Sequence, residues 1–197
     1  MVDFRFNEQD KNFMSVAIKE AEQAFDSGGY PVGAVLTVNG TFIGKCGSTT
    51  ITEDFTEHAA FRLLLQNGVL LRQVIKKSSG KYNICLYLTL EPCLMCMGAT
   101  ILHHVTRIVV ACPNPHMGAT GINLSQIGSF YSKHLPKIET GLMKKESFKL
   151  LSEFFKTGKF DSQEKILKEF VDSQNVKNEE NINKIADIIR KNCIVPF

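Results

Sequence analysis

Two cysteines spaced three residues apart, Cys93 and Cys96, are the side chains in this sequence best suited to chemistry. They follow Pro92, which fits the first turn of a helix because it lacks the amide hydrogen that would have no partner there. A helix that starts at Pro92 would place both sulfurs on one face, within reach of one ion. The positive end of the helix dipole would lower the thiol pKa and favour the thiolate that a metal requires. The pair therefore predicts a metal site at a helix N-terminus.

The third predicted ligand is His58, about 35 residues upstream in the stretch TEHAA at 56–60. Thr56 is a suitable N-cap for a helix that continues through apolar residues, and this places His58 in the first turn. One imidazole and two thiolates are one ligand short of a closed tetrahedral zinc site, and no fourth protein ligand stands nearby in the sequence. This donor set is typical of a catalytic zinc ion whose open position takes water.

These residues resemble the signature of the zinc-dependent cytidine deaminase superfamily, His-x-Glu followed by Pro-Cys-x-x-Cys. The sequence has HAA at 58–60 and PCLMC at 92–96, and the tract from Ile138 to Phe155 resembles the closing segment of bacterial tRNA adenosine deaminases. The nearest branch in appearance contains the tRNA adenosine, guanine and cytosine deaminases. The resemblance implies an α/β fold with three layers, α/β/α, in which helices cover both faces of a mixed central sheet. It also implies a zinc-dependent enzyme that removes an exocyclic amine from a purine or pyrimidine by hydrolysis.

The sequence departs from the signature at Ala60, where the family has glutamate. In the family, this glutamate takes a proton from the attacking water and delivers protons to the ring nitrogen and the leaving amine. Loss of a positioned general acid/base costs roughly 10²–10⁴-fold in rate, so the chain is expected to bind zinc and substrate but to be nearly inactive. Glu57 cannot replace it, because on a helix it points about 100° away from His58. A laboratory substitution that traps substrate and a natural pseudo-deaminase acting as a partner subunit both account for Ala60. We favour the first, because the rest of the site is intact.

The resemblance places the base-stacking segment at Pro31 and Val32 and further substrate contacts at Ser48 and Asn114. Ala59, Glu91 and Pro92, which stand beside the predicted metal ligands, and His116, which stands near Asn114, are also predicted to contact the substrate. Glu91 has a structural role as an alternative, and His116 has the alternative of an ordinary exposed loop residue. Many relatives have asparagine where Ser48 stands, and basic residues are scattered rather than massed near the motifs. We therefore favour a small-molecule substrate, either a free base, a nucleoside or a nucleotide, with adenosine in tRNA as the alternative.

Hydrophobic periodicity predicts the elements that must position these residues. Helices are predicted over 7–25, from His58 to near Gly68, from Pro92 to about His103, and over 145–155; strands are predicted over 31–38, 41–45, 84–88, 106–111 and 137–141. Asn39-Gly40 is a strong hairpin signal. Strands that alternate with helices indicate right-handed crossovers, with the metal near the carboxyl end of the strand that precedes Cys93.

The chain has 197 residues, of which 44% are hydrophobic and 22% charged, as in ordinary globular proteins. We expect a catalytic domain over 1–157 and a C-terminal helical extension over 158–197, with helices at 162–172 and 181–192. We also expect a homodimer, because deaminases of this type often dimerise. A net charge of +3 does not by itself demand nucleic acid. No apolar run approaches the ~18 residues of a membrane span, and the N-terminus lacks a signal-peptide core, so we expect a cytoplasmic protein without a membrane partner.

Overall fold

The computed structural model describes residues 6–49, 54–123, 128–157 and 163–173. The helices are α1 (Glu8–Asp26), α2 (Ala59–Lys77), α3 (Leu94–Leu102), α4 (Ser129–Lys133), α5 (Lys144–Phe155) and α6 (Gln163–Ser173). The strands are β1 (Gly33–Val38), β2 (Thr41–Gly47), β3 (Ile84–Leu90), β4 (Arg107–Cys112) and β5 (Lys137–Thr140). The helix predicted over 181–192 lies outside the described residues. None of the described helices is long and apolar enough to span a membrane.

The strands form one mixed sheet in the order β2-β1-β3-β4-β5. Strand β1 is antiparallel to both β2 and β3, whereas β3, β4 and β5 run parallel to one another. The predicted hairpin between β1 and β2 is confirmed, since Asn39 (φ 50°) and Gly40 (φ 77°) both have positive φ. A two-residue turn of this kind matches the twist of the flanking strands. The mixed sheet expected from the resemblance is therefore present.

Helices cover both faces of this sheet. Alternate residues of β1 point to opposite faces: Ala34 and Leu36 pack in the cluster that contains α2 and α3, and Val35 packs in the cluster that contains α1. Strand β1 is buried along its whole length, as a strand in the middle layer must be. Helix α5 packs against α1, β3 and β4, and α6 packs against α5. The expected α/β/α layering is confirmed.

Helix α2 is longer than the sequence predicts. It was expected to stop near Gly68, but it continues to Lys77 and ends at a turn, where Ser79 (φ 49°) and Gly80 (φ 80°) have positive φ. The prediction was wrong because Leu71, on the continuing apolar face, is buried in the core. Gly68 does not end α2; it lies where α2 closely approaches the end of α3. A Cβ atom at this position would lie 3.2 Å from His103 Nε2, at the end of α3.

A buried polar network ties α1 to three strands. Asp10 Oδ1 accepts hydrogen bonds from the Tyr87 hydroxyl (2.8 Å) and from Arg107 (2.6 Å), and Oδ2 accepts one from the Asn7 amide (3.1 Å). Arg107 Nε also donates to Glu139 Oε2 on β5 (2.6 Å). Burial opposes ionisation of both acids, but the hydrogen bonds from Arg107 and its neighbours hold the pKa values of Asp10 and Glu139 below their usual values. The network therefore depends on charge.

Replacing Arg107 with methionine should destabilise the protein by about 3–5 kcal/mol near pH 7, because two largely buried carboxylates lose their partner. The loss should shrink as the pH falls towards 4. In the parent, the lowered pKa values of Asp10 and Glu139 contribute stability that disappears when these groups are protonated. In the variant, protonation removes the buried negative charge that has lost Arg107. Urea unfolding at several pH values measures the difference in the free energy of unfolding between parent and variant. Lys11→Ala, at an exposed position, is the control and should change this free energy by close to zero. A difference that does not change with pH would mean that Arg107 acts through packing alone.

Candidate metal centre and adjoining cavity

The predicted metal ligands lie at the N-termini of two helices. His58 is the N-cap of α2 and Cys93 is the N-cap of α3, both with extended backbone, and Cys96 is the third residue of α3. The N-cap of α2 was predicted at Thr56 and lies at His58, and the start of α3 was predicted at Pro92 and lies at Leu94, so each prediction was two residues too early. The Pro92 carbonyl accepts a hydrogen bond from the Ala119 amide, so it faces a loop and not the helix.

The three donor atoms converge. His58 Nδ1 lies 3.4 Å from Cys93 Sγ and 3.6 Å from Cys96 Sγ, and all three ligand atoms lie within 4.8 Å of one another. Tetrahedral zinc with bonds of about 2.0–2.1 Å to nitrogen and 2.3 Å to sulfur needs a nitrogen–sulfur separation of about 3.6 Å. The spacing therefore fits one tetrahedral ion held on three corners. Among the described residues, this is the group of histidine, cysteine and acidic side chains that could hold a metal.

The electrostatics of the centre favour a thiolate. A hydrogen bond with Cys96 is the main cause that lowers the pKa of the Cys93 thiol to about 4; burial opposes this shift and His58 adds to it. The hydrogen bond with Cys93 raises the pKa of His58, although burial works in the opposite direction. The hydrogen bond between Cys93 and Cys96 also raises the pKa of the Cys96 thiol, so the pair favours one thiolate, on Cys93. A cation at this position would satisfy both sulfurs as ligands.

Glu91 connects the end of β3 to the loop after β4. Its Oε2 accepts a hydrogen bond from the Asn114 amide (2.8 Å), and its Oε1 accepts bonds from the Thr120 amide (3.1 Å) and hydroxyl (2.5 Å). Gly118 allows this close contact, because a Cβ atom there would lie 2.4 Å from the Glu91 carboxyl carbon. Both carboxylate oxygens are therefore used to hold the loop. These contacts correspond to the structural role considered for Glu91.

The metal ligands line a cavity of about 320 Å³. Of the residues predicted to contact substrate, Val32, Ser48, Ala59, Glu91, Pro92, Asn114 and His116 line the cavity. Pro31 does not; it is buried beside the cavity wall formed by Val32. The loop after β4 forms a wall of the cavity through Asn114, His116 and Met117.

Sequence reasoning missed part of the lining. The missed residues include a largely apolar group from the segment before β1 and from α5 and α6: Tyr30, Phe154, Phe155, Gln163, Ile166 and Phe170. The available signal was the run of aromatic residues at the end of α5. At helical spacing, such a run is typical of ordinary core packing, so it does not identify a cavity wall.

Ala60 faces this cavity, and its neighbours do not supply a carboxylate in its place. Three acidic residues in the described part of the lining, Asp54, Glu57 and Glu91, already accept hydrogen bonds from the protein. Glu57 also pairs with Arg62 Nε at 2.6 Å. Because Glu57 precedes the N-cap His58, the helical offset expected between these two residues does not apply. The site could therefore hold a metal, and each carboxylate that the described residues place in the lining already bonds to the protein.

The fold and this donor set define a deaminase. A family model described as "Cytidine and deoxycytidylate deaminase zinc-binding region" matches residues 7–112. The chain belongs to this family.

Several relatives carry a more specific description. The chain is 32% identical over 151 residues to a tRNA-specific adenosine deaminase of Bacillus subtilis (strain 168), covering 75% of this chain and 89% of the relative. It is 33% identical over 159 residues to a tRNA-specific adenosine deaminase of Buchnera aphidicola subsp. Schizaphis graminum (strain Sg), covering 77% and 97%.

Solved structures share the fold. One from work on A-to-I editing by tRNA:A34 deaminases at the wobble position of transfer RNA is 29% identical, has a TM-score of 0.53 and covers 71% of this chain and 99% of its own. A guanine deaminase from Nitrosomonas europaea is 22% identical, with a TM-score of 0.57 and coverage of 73% and 83%. At that identity, the guanine deaminase supports the fold alone.

We expect the purified protein to contain about one tetrahedrally bound metal ion per chain, zinc in the first instance. Cys93→Ser and Cys96→Ser should each reduce the bound metal by at least tenfold, because each removes one of three ligands. Elemental analysis by mass spectrometry measures this. Cys46→Ser is a matched control, since Cys46 is also buried but contacts Arg62 instead of the centre. Equal metal content in all four proteins would exclude these residues as ligands.

Proposed function

We propose that this chain binds zinc through His58, Cys93 and Cys96 and takes an adenine base of tRNA into the adjoining cavity. The observation that carries the proposal is the convergence of these three side chains on the wall of a cavity that Ala60 also lines. The chain spans 89% and 97% of two relatives described as tRNA-specific adenosine deaminases, which supports a shared substrate class. We therefore prefer adenosine in tRNA to the small molecule that the scattered basic residues favoured.

The residues of the chain have distinct roles in the proposed complex. Val32 and Pro92 flank the base as apolar surfaces. The Asn114 side-chain oxygen Oδ1 accepts hydrogen bonds from the backbone amides of His116 (3.1 Å) and Met117 (3.0 Å), which orients the side-chain nitrogen Nδ2 to donate to the base. Glu91 holds the loop that carries Asn114. Ser48, Ala59 and His116 complete the lining, while Pro31 contributes through the position of Val32.

Zinc at this centre, when bound, supplies the Lewis acid that lowers the pKa of water and makes it a nucleophile at neutral pH. Position 60 faces the same space and is where the family signature has its proton-transferring glutamate. Alanine leaves binding possible and removes the group that would move protons to the ring and the amine. We infer that the chain as written is nearly inactive and retains intact substrate.

Ala60→Glu should raise deamination by at least about 10²-fold, because it restores a positioned general acid/base. The assay follows inosine formation in an anticodon stem-loop RNA with adenosine at the first anticodon position. Ammonia release from adenosine, cytidine, guanine and their nucleotides is measured in parallel. Ala60→Gln is the control, since it has the same shape without an ionisable carboxylate and should stay inactive.

Activity of the Ala60→Glu variant on these small molecules and not on the RNA would overturn the assignment to RNA and restore the small-molecule substrate. Silence on every compound, in a protein that holds its metal, would overturn the assignment as an enzyme. A binding study on the parent chain separates affinity from turnover.

A second candidate function is a non-catalytic subunit that pairs with another copy or with an active relative. Apolar side chains on α2 and α3 favour it: Leu65 is 68% exposed, Val69 77% and Leu102 57%. Val69 and Leu102 line one groove, next to His103. We propose that this surface, which we call the α2/α3 patch, forms a dimer interface. An alanine codon for residue 60 in the unmodified gene would favour the subunit over a laboratory substitution.

Val69→Lys and Leu102→Lys should shift the chain from dimer to monomer, because a charge in an apolar interface is costly to desolvate. Sedimentation velocity across a range of concentrations measures the shift. Phe42→Lys is the control, since Phe42 is also an exposed apolar residue (45%) but lies on the edge strand β2. A dimer that survives both patch variants would place the interface elsewhere, and a monomeric parent would exclude it.

Compartment and domain organisation complete the proposal. We propose a cytoplasmic location, supported by Cys46, Cys85, Cys93 and Cys96, none of which forms a disulfide in the part of the chain that the structure describes. We also propose the division into a catalytic domain over 1–157 and a helical extension over 158–197. The described helix of the extension, α6, packs on α5 and lines the cavity, so the extension would contribute to the site.

A further inference from the structure

Gln163, the first residue of α6, has a buried side chain without a partner. The residue is 3% exposed, and neither Nε2 nor Oε1 has a hydrogen-bond partner in the part of the chain that the structure describes. Gln163 lines the cavity beside the metal centre. Buried polar side chains are nearly always hydrogen-bonded, because an unpaired buried amide is costly. The amide therefore requires an explanation other than folding.

Packing of α6 does not need this amide. The helix is buried through Leu167, Phe170 and Val171, which join the apolar cluster of α5. Gln163 lies one turn before Leu167 on the same face, where an apolar residue would satisfy packing at lower cost. The amide weakens the helix contact as long as the cavity holds no partner for it. The position of the Gln163 amide on the cavity wall is consistent with a group that hydrogen-bonds to a ligand.

A hydrogen bond connects α6 to the loop that forms another wall of the cavity. His116 Nδ1 lies 3.0 Å from Glu169 Oε2 on α6, six residues beyond Gln163. Glu91 holds the same loop through the Asn114 and Thr120 amides. The start of α6 is thus positioned relative to the metal centre through the loop.

We propose that the Gln163 side chain hydrogen-bonds to the edge of the bound base and helps to select it. This inference rests on the proposed function. One amide offers a donor and an acceptor side by side, which matches a ring nitrogen next to an amine, or a ring nitrogen next to a ribose hydroxyl, on a purine nucleoside. The nucleoside would supply the partners that the protein lacks. Gln163 would then be a specificity residue contributed by a helix that lies beyond the family match at 7–112.

The test uses the full chain and three anticodon stem-loop RNAs, with adenosine, 7-deazaadenosine or 3-deazaadenosine at the first anticodon position. Each deaza base replaces one acceptor nitrogen by carbon. Equilibrium binding is measured for the parent, Gln163→Met and the exposed control Gln66→Met. We expect Gln163→Met to weaken binding of the adenosine RNA about tenfold or more. One deaza RNA should bind the parent more weakly than the adenosine RNA, and this difference should vanish in Gln163→Met.

Melting temperature is the second measurement, because a purely structural glutamine would also lose affinity when replaced. We expect Gln163→Met to melt at the same temperature as the parent or higher, since methionine fills the same space without an unpaired amide. A lower melting temperature, or a deaza difference that persists in Gln163→Met, would overturn the role of Gln163. If the parent and Gln163→Met bind each RNA with equal affinity, the role of Gln163 is overturned but the proposed function is not. If none of the RNAs binds the parent, the proposed function and this inference both fail.

Discussion

The convergence of two helix N-termini on one point is the constraint on which the site depends. An N-cap residue keeps an extended backbone while its neighbours turn into the helix, so its side chain can point away from the helix axis. His58 and Cys93 both occupy this position, and Cys96 follows one turn later. Parallel pairing of β3 and β4 then brings the loop after β4 beside Cys93, where Glu91 fastens it. Movement of either helix start would open the triangle of donors.

Residue type and spacing were enough to predict the three donors, because few arrangements other than a metal site combine a histidine with a closely spaced cysteine pair at helix starts. The boundaries were harder to predict. Proline is compatible with the residues just outside a helix as well as with its first turn, so Pro92 could not place the start of α3 within two residues. Gly68 was interpreted as an end because glycine disfavours helix. The burial of Leu71 and the close approach of His103 are tertiary facts that no local pattern contains.

The wall formed by α5 and α6 illustrates a different limit. Phe154 and Phe155 have the periodicity of core residues, and they do pack with Leu167 and Phe170. The same side chains face the cavity, since a cavity wall is core on one side and ligand surface on the other. Hydrophobic periodicity reports burial and cannot distinguish these two uses. Predicting the wall required knowledge of where α6 packs.

Two positions in the cavity show how fold stability and function separate. Ala60 is 5% exposed in the first turn of α2, where a small helix-forming residue packs at no cost, so the fold is satisfied without the glutamate of the family signature. Gln163 differs from Ala60, because its buried amide has no hydrogen-bond partner among the described residues and therefore lowers the stability of the fold. A residue that weakens the fold and still faces a cavity points to a ligand more strongly than one that merely suits the fold. With Gln163 present, the site would still bind a base. With alanine at position 60, it would lack the carboxylate that transfers protons during deamination.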